Sequence, residues 1–241
     1  MRTANPVFRS IEKQDAYAVD QAASYKGIII KTTLLLLVAV ASGFLSLMYL
    51  GDNYGPVLMG SFIVGLLSVI LINFLPRLGM VFGLLYALSE GVILGLVTFM
   101  FEIEFQGITV SAILATLTVF SVMLFLYSSG VIRVTSRLRR MVSTILISML
   151  VFFVIFGILS MSFRDSALFS VSPGILLAVS AVMIVFGAIM LTLDFDNAAR
   201  IVDGQADKTY EWVVAVGLMV TLVWIYIEML RILAIISSRR N

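Results

Sequence analysis

Seven long apolar stretches restrict what this chain can fold into. A helix needs about 20 mostly apolar residues to cross the hydrocarbon core of a bilayer. Runs of about that length, separated by charged, polar or proline-containing segments, cover residues 27–50, 56–75, 79–101, 108–127, 141–163, 174–193 and 212–236. The runs are continuous, whereas the strands of a transmembrane barrel alternate in short segments. We therefore predict an all-α integral membrane protein built as a bundle of seven transmembrane helices.

The composition excludes an ordinary soluble domain. Of the 241 residues, 61% are hydrophobic and 12% are charged, against about 45–50% and about 25% in typical globular proteins. We therefore expect the chain to be embedded in the lipid bilayer, which is its predicted partner. A net charge of +2 is too small and too widely spread to indicate nucleic-acid binding.

The distribution of basic residues predicts the orientation. Residues 1–26 are polar and charged and read as a cytoplasmic tail, followed by a seven-span domain over residues 27–241. The first apolar run is too long for a cleaved signal peptide. With the N-terminus inside, twelve Lys and Arg residues fall on the cytoplasmic side and only Arg164 lies in an outer link, as the positive-inside rule requires. Arg239 and Arg240 do not fit, because seven crossings leave them outside. Either the C-terminal end breaks the rule, or the last segment enters the membrane and returns to the same side.

The residue types that are missing argue against an enzyme. The chain has no His and no Cys, so Ser-His, Cys-His and zinc chemistry have no side chains to use. Neither a phosphate-binding Gly-rich loop nor a dinucleotide fingerprint occurs. We therefore expect no catalytic residues and no cofactor, and any proton sensing falls to carboxylates.

Glu90 is the first of three acids inside the apolar runs. An ionisable residue at the centre of a span costs roughly 2.5–3.5 kcal/mol on insertion scales, so each one needs a reason. Small residues recur at every fourth position around it and let another backbone approach closely: Gly79, Gly83, Ala87, Gly91 and Gly95. A carboxyl that holds helices together and a carboxyl on an ion path are both open interpretations.

Glu228 is the second embedded acid and lies in the last run. Thr221, Trp224 and Ile225 share its helical face, because they precede it at helical spacing. An i,i+3 ion pair with Arg231 that shields both groups from lipid is one interpretation. The other is a gating role, and the two are compatible.

Asp194 is the third embedded acid and ends the sixth run. The helix dipole opposes an acid at the C-terminal end of a helix, so Asp194 and Asp196 are not expected to stabilise that end. Asp196 is best read as the solvated start of the following link. Lys31, in the first run, is either a counter-charge for Asp194 or a side chain that snorkels to the headgroups.

These features resemble the Bax inhibitor-1-like (transmembrane Bax-inhibitor-motif) family. The resemblance is carried by the seven spans, the basic link before the fifth, Leu193-Asp-Phe-Asp, and Leu222-Val-Trp-Ile-Tyr-Ile-Glu-Met-Leu-Arg-Ile-Leu. Asn5-Pro-Val-Phe and Ser89-Glu-Gly look like a bacterial branch. The resemblance implies the bacterial inner membrane, a central last helix, and a pH-sensitive calcium leak.

The resemblance also implies a proton sensor made of two aspartates on the sixth and seventh helices. Asp194 matches the first position, but alignment on the shared Leu-Arg places Thr221 at the second. Glu228, seven residues further along, lies roughly 10 Å away along the helix. We therefore predict carboxylates at different depths, Asp194 on the inner side and Glu90 and Glu228 deeper, as transient oxygen ligands for calcium.

Three functions remain open. The leading hypothesis is a calcium-permeable, proton-modulated leak channel, because a scaffold has little need of the charge at Glu90. The alternative is a non-conducting membrane regulator that binds a partner protein, such as a membrane quality-control protease, through its charged N-terminal tail. A proton-coupled exchanger is a third reading, which the same carboxylates permit.

Overall fold

The computed structural model describes residues 22–49, 54–162 and 172–238. These residues form seven α-helices: α1 (Tyr25–Tyr49), α2 (Tyr54–Phe74), α3 (Gly79–Glu104), α4 (Ile108–Ser128), α5 (Ser136–Ser162), α6 (Pro173–Asp203) and α7 (Tyr210–Ser238). A single 3-10 turn, Pro76–Leu78, joins α2 to α3. Every one of the seven helices is long and apolar enough to cross a membrane. The prediction of a seven-helix, all-α membrane protein is confirmed.

The sixth helix corrects one prediction. Its apolar run ends at Leu193, but α6 continues for ten more residues to Asp203. The added segment contains good helix formers and an i,i+4 ion pair, so loss of hydrophobicity does not end the helix. Asp194 and Asp196 therefore lie inside the helix, where the end effect of the helix dipole no longer opposes them. The connection to α7 shortens to residues 204–209.

Some of the predicted features lie outside the described residues. They include residues 1–21 of the predicted tail and, among the arginines used for orientation, Arg164, Arg239 and Arg240. Residues 22–24 precede α1, which begins at Tyr25, two residues before the predicted span.

Local sequence explains where several helices begin and end. Pro56, Pro76 and Pro173 each lie within the first three residues of a helical segment, where a missing N–H and a fixed φ do no harm. Gly107 and Gly130 bracket α4 with φ values of +81° and +72°, a left-handed conformation that glycine adopts without strain. In the α6–α7 link, the backbone N–H and the hydroxyl of Thr209 both donate hydrogen bonds to Asp207. These hydrogen bonds, that of the backbone first, lower the pKa of the Asp207 carboxyl.

The chain divides into two compact units. The first contains described residues 22–100 and 196–220, and close contact between α3 and α1 holds it together. A Cβ atom added at Gly95 would lie 2.7 Å from Gly43 Cα, and one added at Gly91 would lie 2.8 Å from Ala39 Cα. The predicted small-residue face of α3 therefore does admit another backbone.

The second unit contains described residues 101–195 and 221–238. Its core is built from Val142 of α5 and from Phe186 and Leu193 of α6, with Trp224 of α7 packed against them. Phe120 and Tyr127 of α4 contact the ring of Phe195, with ring centroids 5.5 and 5.8 Å away.

The last helix is the most buried of the seven. Half of its membrane-length window is buried, against 6–33% for the other six. The remaining helices expose many large apolar side chains, as helices that face lipid do. The structure thus gives α7 the largest buried share of the seven helices, and its central position stays a prediction.

Candidate functional site

Asp194 and Thr221 meet inside the second unit. The Thr221 hydroxyl donates to Asp194 Oδ2 at 2.6 Å. Thr221 is only 1% exposed, and Asp194 is half-buried. The two positions that the resemblance pairs as aspartates are thus hydrogen-bonded neighbours here, with a neutral hydroxyl in place of the second carboxylate.

Close packing of α6 against α7 brings this pair together. A Cβ atom added at Gly187 would lie 2.7 Å from Ile225 Cγ1, so a larger residue would force the Ile225 side chain or the helices to shift. The rings of Phe186 and Trp224 also contact each other across the same helix pair, with centroids 6.0 Å apart. Glycine at this crossing lets side chains as short as Asp and Thr reach each other.

Asp196 has a different environment from Asp194. It accepts a hydrogen bond from Arg200 Nε at 2.7 Å, one helical turn further on. The Arg200 side chain is 62% exposed, and solvent screens such a pair. This contact gives Asp196 a helix-stabilising role.

Glu228 and Arg231 form the predicted i,i+3 ion pair. One Arg231 nitrogen, Nη1, donates to both Glu228 oxygens, at 2.9 and 3.1 Å. The Glu228 side chain is 9% exposed, whereas that of Arg231 is 45% exposed. Glu228 is therefore a buried carboxylate. The Arg231 side chain is long and half-exposed, so it can move away from Glu228.

Glu90 lies on α3, in the first unit. It is half-buried and adjoins Gly91, at the point where α3 approaches α1 most closely. Ser42 of α1 donates to the Leu88 carbonyl at 2.7 Å beside this point. The tight crossing agrees with an interior position for this face of α3, and both interpretations of Glu90 stand.

Glu211 is a buried acid that the sequence pattern did not single out. Its carboxylate is fully buried in the first unit, and it accepts from Lys31 Nζ at 2.6 Å and from the Ser24 backbone N–H at 2.7 Å. Lys31 also lies 5.1 Å from the centroid of the Trp212 ring, within cation–π range. Lys31 is therefore the counter-charge of Glu211 and not of Asp194. An acid immediately before the last apolar run, where a helix N-terminus favours negative charge, was the available signal.

A bound metal ion requires a cluster of ligand side chains. Groups of three or more acidic side chains that could hold a metal do not occur among the described residues. The three candidate calcium ligands lie on different helices: Asp194 on α6, Glu90 on α3 and Glu228 on α7. Single carboxylates suit a passing cation better than a resident one.

The fold and these embedded acids define a multi-pass helical membrane protein with ionisable groups inside its spans. The family model described as Bax inhibitor 1 like matches residues 5–238, nearly the whole chain. The chain belongs to the Bax inhibitor 1-like family. No curated protein matches it.

Proposed function

We propose that this protein is a pH-sensitive leak channel for calcium, in which Asp194 responds to protons and Glu90 and Glu228 are transient oxygen ligands. We propose no enzymatic activity and no resident cofactor. Family membership supports this function, because the resemblance implies a pH-sensitive calcium leak. Calcium is a hard cation that prefers carboxylate and other oxygen ligands.

The hydrogen bond between Asp194 and Thr221 carries the proposal. In the described part of the chain, Asp194 accepts a hydrogen bond from a neutral hydroxyl. A carboxylate held this way can gain or lose its proton without breaking an ion pair. Neutral side chains could link two helices without the cost of an embedded acid, so the acid at this position favours a functional role.

We further propose that the protein lies in a bacterial inner membrane with its N-terminus in the cytoplasm. The excess of Lys and Arg in the segments assigned to the cytoplasm supports this orientation. Asp194 would then lie towards the cytoplasmic side, and Glu228 further across the membrane.

Calcium uptake into liposomes tests the proposal. The purified full chain is reconstituted around a trapped calcium dye, and uptake is measured across about pH 6 to 8, where only a buried or paired carboxylate titrates. We expect uptake that depends on pH, and we expect Asp194→Asn to remove most of that dependence. Asp203→Asn is the matched control, because Asp203 is an exposed acid of the same helix.

Two outcomes would overturn parts of the proposal. Uptake no greater than that of empty vesicles at every pH would exclude the channel and favour a regulator that binds a partner such as a membrane protease. Uptake that keeps its pH dependence in Asp194→Asn would remove Asp194 as the sensor.

A further inference from the structure

The connection between α4 and α5 concentrates positive charge. Arg133 lies in the link, and Arg137, Arg139 and Arg140 lie in the first two turns of α5. Between Glu104 and Asp165 the sequence has no acidic residue. Arg133, Arg137 and Arg140 therefore have no acidic residue near them in the sequence.

Three of these arginines are exposed. Arg133, Arg137 and Arg140 are exposed, whereas Arg139 is half-buried. Arg137 and Arg140 are three residues apart on α5 and so share one helical face. A guanidinium group presents its N–H donors in a planar fork that fits a phosphate, so neighbouring exposed guanidinium groups form a surface suited to phosphate-bearing ligands.

The position of the cluster is unfavourable for the helix itself. The N-terminal end of a helix already carries partial positive charge, and the first turn of α5 contains no acid. A neutral hydroxyl performs the capping, since Thr135 Oγ1 accepts from the Leu138 N–H at 3.1 Å. Exposed cations at this end raise the free energy of the helix unless an anion lies close to them.

Apolar side chains place the cluster at the membrane boundary. Val131 is 71% exposed on one side of it and Met141 is 49% exposed on the other. Exposed apolar groups at the end of a spanning helix belong in the acyl layer, and guanidinium groups beside them then lie at the height of the headgroups. The anion available at that height is a phospholipid.

We propose that Arg133, Arg137 and Arg140 form a binding surface for the headgroups of anionic phospholipids. Basic clusters next to a membrane span attract such lipids at about 1 kcal/mol per Lys or Arg near the surface. This surface is independent of the proposed channel function, because it would bind lipid whether or not the protein conducts.

Native mass spectrometry tests the proposal directly. The full chain is released from micelles containing equal amounts of phosphatidylglycerol and phosphatidylcholine, and the bound lipids are counted. We expect several-fold more phosphatidylglycerol than phosphatidylcholine on the wild type. The combined variant Arg133→Gln, Arg137→Gln and Arg140→Gln should lose at least half of that preference.

A matched triple variant controls for net charge. Lys26→Gln, Arg77→Gln and Lys208→Gln together remove the same charge from exposed positions and should keep the preference. Equal loss in both triple variants would mean that net charge alone recruits the lipid, and the proposal would fail. It would also fail if the arginine variant bound lipid as the wild type does.

Two further measurements complete the test. Excess soluble glycerol phosphate should not displace phosphatidylglycerol; full displacement would show a site for free phosphate and would overturn the lipid assignment. If the triple arginine variant does not fold, the single Arg→Gln variants at the same positions replace it. Each should lower the preference, and no change in any of the three would refute the proposal.

Discussion

At the scale of single residues, the contact between Asp194 and Thr221 determines which form the proposed proton sensor takes. A hydroxyl donates one hydrogen bond to the carboxylate at 2.6 Å and carries no charge of its own. Two carboxylates at the same distance would share a proton, and the pair would titrate in two coupled steps. The proposed sensor of this chain is therefore one carboxylate that titrates in one step.

Restoring an acid at position 221 should change that behaviour. We expect Thr221→Asp to move the midpoint of pH-dependent calcium uptake upward by about one pH unit or more, since two adjacent carboxylates cannot both ionise easily. Thr221→Asn is the matched control, because it has almost the shape of Asp but no charge. Equal midpoints for the Asp and Asn variants in the liposome assay would contradict a sensor at this contact.

At the scale of elements, the ion pair between Lys31 and Glu211 ties α1 to the start of α7. The Glu211 side chain is fully buried and that of Lys31 is 15% exposed. Hydrogen bonds from Ser24 complete the coordination of the carboxylate. Gly27 leaves the space that the carboxylate occupies, because a Cβ atom there would overlap it.

Removing one partner of this pair should be strongly destabilising. Lys31→Met leaves Glu211 buried without a counter-charge, and we expect a loss on the order of 3 kcal/mol, seen as a lower midpoint of thermal unfolding in detergent. Lys26→Met, at an exposed position of the same helix, should have little effect. The double variant Lys31→Met/Glu211→Met should recover most of the loss. If Lys31→Met lowered the midpoint of thermal unfolding no more than Lys26→Met does, the assignment of the ion pair would be contradicted.

The crossing of α1 and α3 depends on glycine for a steric reason. A Cβ atom at Gly91 would come within 2.8 Å of the Ala39 Cα atom, and backbone cannot move aside as a side chain can. We expect Gly91→Ala to cost about 1–3 kcal/mol, the usual range for overpacking, with a lower midpoint of thermal unfolding.

Gly60 of α2 provides the matched control for this substitution. A Cβ atom there would meet nothing within 4 Å, and Ala is a better helix former than Gly. Gly60→Ala should therefore leave the midpoint unchanged or raise it. Equal effects of the two substitutions would show that the close approach contributes little to stability.

At the scale of the whole molecule, the orientation in the membrane can be tested because the chain has no cysteine. Gln106→Cys reports on the link between α3 and α4, and Ser136→Cys on the start of α5; both positions are exposed. With the N-terminus inside, an impermeant maleimide added to intact spheroplasts should label only the first. Labelling of the second alone would reverse the orientation.

Much of the fold follows from hydrophobicity along the chain. The limits of α2, α3 and α4 lie within three residues of the predicted spans, because a bilayer requires a continuous apolar run and satisfied backbone hydrogen bonds. The α6 helix extends ten residues past Leu193, since a helix can continue beyond the apolar run that marks it in the sequence. Spacing along one helix also predicted the pair Glu228 and Arg231, a local contact.

The sequence by itself determined that this chain is a seven-helix membrane protein of the Bax inhibitor 1-like kind, with Glu90, Asp194 and Glu228 in its spans. Only the tertiary structure decided which side chains of different helices meet. Lys31 pairs with Glu211, 180 residues away, and Asp194 with Thr221 across two helices. The reason is physical: apolar periodicity records burial in lipid, whereas the partner of a polar group depends on how helices cross, which no single segment encodes.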